Sequence, residues 1–274
     1  MSLSIRSIRR SNSFPQLFQL HQRYRNRFRD DHWLATLSSF RRLAKKTDRM
    51  HVLAAGKELS ERVSPFMRSA SIETVGEVAF TYGQLGLRHS DVVAQCRRAD
   101  LKGARVSDLT KCLWGPLLLG EERRNHQIRV AEAVEGLAVN EYEIPIEDCR
   151  RLHFCSLIGR VNWGDECLGT TTQKIVRQAI SKFASHPTNP SRFQKEATAN
   201  VRQIMPKSWV MHTEYYVEGF HLDIAFPEQK IAIEVDGPWH YYNDSDEVMT
   251  KDKVKDRVLE GLGWKVWHLS YLDT

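Results

Sequence analysis

Residues 231–242 read IAIEVDGPWHYY, and residues 250–271 read TKDKVKDRVLEGLGWKVWHLSY. The first stretch is rich in β-branched residues for six positions and then meets a Gly-Pro pair, which predicts a strand that ends in a tight turn. The second stretch predicts a helix from 250 to 262, followed by a glycine and another strand. Helix and strands in this order predict a mixed sheet flanked by helices.

The segments upstream of this stretch complete a small α/β domain, predicted over residues 191–274. Ser191 is a suitable N-cap for a helix whose apolar side chains recur every three or four positions and which a proline closes at 206. Three strand-like segments follow, and a Pro-Glu-Gln turn of hairpin length joins the last two. These segments are 210–216, 220–226 and 230–235.

Three carboxylates are predicted to lie on the same side of this sheet. Alternation places Glu234 and Asp236 on the face opposite the isoleucines, and Asp223 opposite the apolar side chains of its own strand. If the two strands pair around the turn, the three carboxylates are neighbours. Neighbouring carboxylates raise one another's pKa unless a positive group lies between them, either a divalent cation or a nearby Lys or Arg.

The motif EVDGP-x-H, followed by a Lys- and Arg-bearing helix and then L-x-x-x-G-W-x-V, resembles the RAP domain of organellar RNA-binding proteins. The resemblance covers about 80 residues of this chain. RAP domains are similar in turn to the restriction-endonuclease-like fold. By that similarity Asp223, Glu234, Asp236 and His240 stand at the positions of a nuclease's catalytic site. The first three would hold Mg²⁺ or Mn²⁺ if the site were active, and otherwise no cofactor is expected.

The chain departs from the common nuclease pattern at one position, where Asp236 replaces the expected lysine. That lysine stabilises the phosphate transition state, so His240 or a residue of the following helix would have to supply the charge. The helix offers Lys251, Lys253, Lys255 and Arg257. Residues 191–274 carry 10 basic and 14 acidic side chains, which argues against a general phosphate-binding surface. Whether the protein is an enzyme stays open, and the missing lysine favours a protein without activity.

RNA contacts are expected instead from a local stripe and from aromatic residues. The predicted phosphate contacts are Lys251, Lys255 and Arg257, which share a helix surface. Tyr241 and Tyr242 could stack on bases or cover the sheet edge. For Trp239, packing against the protein is the favoured interpretation.

The first 30 residues form a basic arm. Seven arginines and no acidic residue occur within 1–29, whereas the rest of the chain carries 33 basic and 34 acidic side chains. Arg- and Ser-rich segments without acids are typical of mitochondrial targeting segments. The alternative is a basic arm that is retained and binds RNA or a ribosome.

Residues 31–185 are predicted to be helical, with apolar residues three and four positions apart. Two segments that end at Gly86 and Gly120 match each other at a spacing of 34 residues, which suggests stacked helical hairpins, although an irregular helical domain fits as well. The Pro- and Asn-containing segment 186–190 is predicted to be the linker. Five cysteines without metal-ligand or disulfide spacing predict reduced thiols.

The fold class is therefore α plus α/β, with a helical region before a small restriction-endonuclease-like domain. The expected function is that of a non-catalytic RNA-binding protein of the mitochondrial matrix, acting in RNA processing or stability or as a ribosome component that binds rRNA. The alternatives are a metal-dependent endoribonuclease and a structural ribosomal subunit that contacts mainly protein. The expected partners are mitochondrial rRNA or mRNA and mitochondrial ribosomal proteins. No apolar run is long enough to predict a membrane span.

Overall fold

A computed structural model describes residues 4–24, 27–140, 143–182 and 189–273. The helices are α1 (Ile5–Arg9), α2 (Phe14–Tyr24), α3 (Asp30–Ala44), α4 (Arg49–Met67), α5 (Ile72–Leu85), α6 (Ser90–Arg98), α7 (Val106–Leu118), α8 (Arg124–Val139), α9 (Ile146–Trp163), α10 (Thr170–Ser181), α11 (Arg192–Ile204) and α12 (Thr250–Gly261). The strands are β1 (His212–Val217), β2 (Phe220–Phe226), β3 (Ile231–Asp236) and β4 (Lys265–Ser270). A helical region followed by a small α/β region confirms the coarse fold prediction, whereas the restriction-endonuclease-like fold stays a prediction.

The chain divides into two compact units. The amino-terminal unit comprises residues 1–134 together with 242–250, and the carboxyl-terminal unit comprises residues 135–241 together with 251–274. Most of the predicted linker lies outside the described residues, so the domain boundary predicted at 186–190 stays a prediction. No helix in the described part of the chain is both long enough and apolar enough to span a membrane.

In the amino-terminal unit, α5 and α7 pack against each other along small residues. A Cβ atom added at Gly115 would lie 2.4 Å from the backbone of Ala79, and one added at Gly83 would lie 2.6 Å from the carbonyl oxygen of Gly115. The two helices begin 34 residues apart, as do α6 and α8. Buried Glu77 of α5 pairs with Arg41 of α3 and, at 2.8 Å, with Lys111 of α7. The helices are therefore held both by close backbone approach and by a buried ion cluster.

Helix α5 has the ends that its sequence predicts. The hydroxyl oxygen of Ser71 accepts a hydrogen bond from the backbone N–H of Thr74 at the N-cap. At the other end, Gly86 adopts a left-handed conformation, with φ of 61°. A Cβ atom there would also lie 2.9 Å from the guanidinium of Arg49. Glycine is therefore required at this position for both its backbone angle and its size.

Helices α1 and α2, which belong to the predicted basic arm, are packed into the amino-terminal unit. Ile8 and Leu17 are 0% and 1% exposed, and the ring centroids of Phe14 and Phe40 are 4.6 Å apart. The hydroxyl of Ser39 on α3 also donates to the carbonyl oxygen of Ile8. The apolar residues of the arm are therefore part of the hydrophobic core.

In the carboxyl-terminal unit, one sheet carries the strands in the order β1-β2-β3-β4. Strand β2 is antiparallel to both β1 and β3, whereas β3 and β4 are parallel because α12 makes the crossover between them. As the alternation predicts, Ile231, Ile233 and Val235 share a core with Ala197 and Val201 of α11. The other face of the sheet packs on α12 through Leu259.

Helix α9 holds the β1–β2 hairpin of the same unit. The rings of Phe154 and Phe220 stack at 4.6 Å with an interplanar angle of 7°. The imidazole of His153 donates through Nε2 to the carbonyl oxygen of Glu218, and Arg160 pairs with the Glu218 carboxylate at 2.7 Å. These contacts fix the hairpin that carries Asp223.

Candidate functional site

Asp223 lies where β2 and β3 separate. The pairing of β2 with β3 extends from Phe226↔Ile231 to Ile224↔Ile233. Beyond it, the backbone N–H of Val235 donates to Asp223 Oδ2 at 2.7 Å. The side-chain amide of Gln194 on α11 donates to Oδ1 at 2.8 Å. Burial raises the pKa of Asp223, although the Val235 hydrogen bond and nearby positive charges oppose this shift. The carboxylate therefore has a protein donor on each oxygen.

Glu234 is buried and pairs with a lysine from α12. The ammonium of Lys255 lies 2.6 Å from Glu234 Oε2 and donates to the carbonyl oxygen of His221 at 3.0 Å. Glu234 is 4% exposed, and its second oxygen, Oε1, has no hydrogen-bond partner among the described residues. Burial raises the pKa of Glu234 to about 7 even though Lys255 favours the ionised form.

Asp236 is enclosed by two histidines. Its Oδ2 atom accepts from Nδ1 of His268 on β4 at 2.6 Å, and Nε2 of His268 lies 3.3 Å from Asp256 Oδ1. His240 Nδ1 lies 3.6 Å from Asp236 Oδ1 and 3.4 Å from Asp252 Oδ1. Hydrogen bonds to Asp236 and Asp256 raise the pKa of His268 to about 10, so this imidazole is a cation at neutral pH. The side-chain hydrogen bond with Asp252 likewise raises the pKa of His240.

The three predicted carboxylates are thus brought to one region of the sheet, and the protein's own groups neutralise them. Lys255 and His268 supply the positive charge that Glu234 and Asp236 require. Within the described ranges, no group of three or more His, Cys, Asp or Glu side chains is arranged to hold a metal ion. Each carboxylate has at least one protein donor, while Glu234 Oε1 has no hydrogen-bond partner among the described residues. The predicted metal and catalytic roles stay predictions.

Of the three predicted phosphate-binding residues, only Lys251 is exposed, and Lys255 and Arg257 are partly buried. The ammonium of Lys255 is occupied by Glu234 and a backbone carbonyl. The predicted packing of Trp239 is wrong, because this side chain is 85% exposed. It lies in a short 3₁₀ turn, Pro238–His240, which begins at the proline of the Gly-Pro pair, where the backbone leaves the sheet.

Both predicted base-stacking tyrosines are 7% exposed. The hydroxyl of Tyr241 donates to Ser270 Oγ at 2.8 Å. In the amino-terminal unit, the ring of Tyr242 lies under the guanidinium of Arg49, with 3.8 Å from the guanidinium carbon to the ring centroid. Its hydroxyl donates to the carbonyl oxygen of Gln84 at 3.2 Å. Contact of these rings with RNA stays a prediction.

Sequence reasoning missed His268 and Gln194, which contact the carboxylates, and Arg49, which contacts Tyr242 in the amino-terminal unit. His268 stands opposite Glu234 in the parallel register of β3 and β4, and it shares a sheet face with the carboxylates. The alternation of WKVWHLS offered that signal, but only together with the strand pairing. No local pattern marks Gln194 as a partner of Asp223, which lies 29 positions along the chain. The same holds for Arg49 and Tyr242, which are 193 positions apart.

Comparison with known proteins finds a domain model that matches the carboxyl-terminal part of the chain. The family model of the RAP domain matches residues 233–274, which run from β3 through α12 and β4. A protein of Oryza sativa subsp. japonica named "RAP domain-containing protein, chloroplastic" is 27% identical over 108 residues. That similarity covers 39% of this chain but only 16% of the length of the rice protein. The strand, the turn motif, the helix and the parallel strand together agree with a RAP domain over residues 233–274.

Proposed function

We propose that this chain is an organellar RNA-binding protein that acts without turnover. The observation that carries the proposal is the RAP-domain match over residues 233–274. The name of the rice relative, which places that protein in the chloroplast, supports an organellar location. The mitochondrial matrix is the finer proposal, and the acid-free positive charge of residues 1–29 supports it.

The chemistry of the carboxylate cluster supports binding rather than cleavage. A metal-dependent nuclease needs carboxylate oxygens that converge on a cation. Here Asp223 accepts two hydrogen bonds from the protein, Glu234 is paired with Lys255, and Asp236 is paired with His268. A cation would have to compete with these pairs for its carboxylate ligands.

Exposed groups at the same end of the domain are available for RNA. Trp239 offers a free aromatic face directly after the EVDGP motif, and Lys251 begins the basic helix that the family pattern includes. An aromatic face and a nearby cation suit an unpaired base and its phosphate. We propose that the protein acts in RNA processing or stability, or as an rRNA-binding component of an organellar ribosome.

The test is ultraviolet crosslinking in living cells, followed by stringent purification of the full chain and sequencing of the bound RNA. Organellar transcripts enriched over a mock purification would support the proposal. Ribosomal RNA alone would indicate a ribosome component, and a spread of mRNA sites would indicate a free processing or stability factor. No crosslinked RNA above the mock level would refute RNA binding and favour a subunit that contacts mainly protein.

A further inference from the structure

The arginines of the first helices form an exposed cationic surface on the amino-terminal unit. Six arginines of this segment are described, all of them exposed: Arg6, Arg9, Arg10, Arg23, Arg27 and Arg29. None of these six makes an ion pair with another residue in the described part of the chain, and no acidic residue occurs before position 30. Elsewhere in the described part of the chain, many arginines are paired with acids, for example Arg62 with Glu58 and Arg105 with Glu73. Unpaired arginines at this density attract polyanions.

The apolar sides of the same helices are already used inside the protein. Phe14 and Phe18 are 8% and 4% exposed and pack around Phe40 of α3, and Leu17 is buried beside them. A helix that binds a lipid surface must insert its apolar face, and that face is not available here. Phe40 would be uncovered without α2, so the apolar side of this helix belongs to the hydrophobic core.

A groove lined by aromatic residues lies beside this surface. It has a volume of about 580 Å³, and its walls come from α2, the start of α3 and α4. The lining residues that could contact a ligand are Gln22, Phe28, Trp33, Glu61, Arg62 and Phe66. The rings of Phe28 and Phe66 are partly exposed and rest on Trp33 with centroid distances of 5.3 and 5.6 Å. Arg62 is held in place by His21 and Glu58.

We propose that this groove and the arginines around it bind single-stranded RNA. Bases stack on the partly exposed rings of Phe28 and Phe66, and Glu61 or Gln22 at the wall accepts hydrogen bonds from base amino groups. Arg27 and Arg29 flank Phe28 in the chain, where they are placed to contact the phosphates of a stacked nucleotide. Aromatic rings interleaved with arginines match the two faces of an unpaired strand, the base and the charged backbone.

This inference rests on the proposed RNA-binding function and adds a second binding surface, separate from the RAP domain. A duplex would reach the arginines but not the groove, because its bases face inward. The surface therefore prefers single strands. An anionic protein partner would use the arginines and would leave the aromatic rings without a ligand.

The test compares the full chain with the variant Arg23→Gln/Arg27→Gln/Arg29→Gln. The matched control is Lys195→Gln/Arg202→Gln/Lys207→Gln, which removes the same charge from exposed residues of the other unit. Binding of fluorescein-labelled 20-nucleotide oligouridine and of a 20-base-pair RNA duplex is measured by anisotropy between 50 and 400 mM KCl. Thermal melting checks that both variants keep the wild-type stability, because all six side chains are exposed.

Each phosphate contact contributes about 0.7 to the slope of log affinity against log salt concentration. Loss of three contacts makes the slope shallower by about 2. With equal affinities at 1 M salt, this corresponds to an RNA affinity about 50-fold weaker than wild type at 150 mM salt. The control keeps the wild-type slope, and the wild type prefers oligouridine to the duplex.

Three outcomes overturn the inference without touching the proposed function. They are RNA binding that is unchanged in the arginine variant, an equal loss in both variants, and no preference for single strands. Arginine-dependent binding to phosphatidylcholine–cardiolipin vesicles with unchanged RNA affinity would assign the surface to a membrane and would also overturn it. Absence of oligouridine binding by the wild type refutes the inference, and the crosslinking experiment then decides separately whether the RAP-domain function stands.

Discussion

Replacement of Arg49 by methionine should destabilise the amino-terminal unit by about 3 kcal/mol. Arg49 Nε donates to Glu247 Oε2 at 2.7 Å, and Nη1 donates to the Leu85 carbonyl oxygen at 2.5 Å. Hydrogen bonds to charged groups are worth about 1.5–3 kcal/mol and neutral ones about 1 kcal/mol. The contact with the Tyr242 ring adds up to about 2 kcal/mol because the guanidinium is desolvated. These terms are not additive. Water offsets part of the loss, because the Glu247 side chain is 37% exposed and is solvated once Arg49 is removed.

Hydrogen exchange of the amides of α4 and α5 gives the free energy of opening of this unit without assuming that the whole chain unfolds in one step. The control is Arg68→Met, the same substitution at an exposed position directly after α4, which should change that free energy by less than about 0.5 kcal/mol. Arg49→Lys keeps the charge but loses the fork geometry and should fall between the two. Equal exchange in Arg49→Met and Arg68→Met would show that Arg49 does not hold residues 242–250 in the unit.

Three further predictions test the interior. Burial raises the Glu234 pKa from 4.5 to about 7, so its contribution is present below pH 4.5 and is lost as pH rises through 7. The free energy of unfolding in urea of the wild type, relative to that of Glu234→Gln, should therefore fall by up to about 3 kcal/mol between pH 4.5 and 7.5. A difference that does not change with pH would contradict this. The His268 pKa is raised to about 10, so its stabilisation is full below pH 6.5 and is lost as pH rises through 10. NMR should find no titration of the His268 imidazole between pH 5.5 and 8.5, whereas a His268 midpoint near pH 6.5 would count against its contacts with Asp236 and Asp256. Finally, Gly115→Ala, whose Cβ meets backbone, should destabilise by about 1–3 kcal/mol, and Gly136→Ala, with open space around it, should stabilise by about 0.5–1 kcal/mol. Changes of the same sign in thermal melts would refute the close crossing of α5 and α7.

Local patterns in the sequence predicted the elements of the carboxyl-terminal sheet well. The alternation in IAIEVD assigned the faces of β3 correctly, because Ile231, Ile233 and Val235 do face the α11 core. Gly86 was recognised as a helix end because a left-handed residue after an apolar helix is a short-range signal. Both successes depend on neighbours within a few residues.

Contacts between distant segments could not be predicted in the same way. The charge that compensates the carboxylates comes from Lys255 and His268, and their positions depend on the crossover of α12 and on the parallel register of β4. The exposure of Trp239 was mispredicted because aromatic residues beside a sheet usually pack, and only the direction of the 3₁₀ turn decides otherwise. The packing of α1 and α2 depends on Phe40 and its neighbours in α3, and no local sequence pattern indicates that these segments contact each other.

The most direct test of the central claim is one titration of labelled single-stranded RNA with the full chain, in EDTA and in 5 mM Mg²⁺, with the same samples then run on a denaturing gel. Binding without turnover predicts equal affinity in the two buffers, an affinity that falls steeply with added salt, and intact RNA after prolonged incubation. RNA cleavage that requires Mg²⁺ and disappears in Asp223→Ala and Glu234→Gln would contradict the claim. It would show that the carboxylates leave Lys255 and His268 to bind a cation.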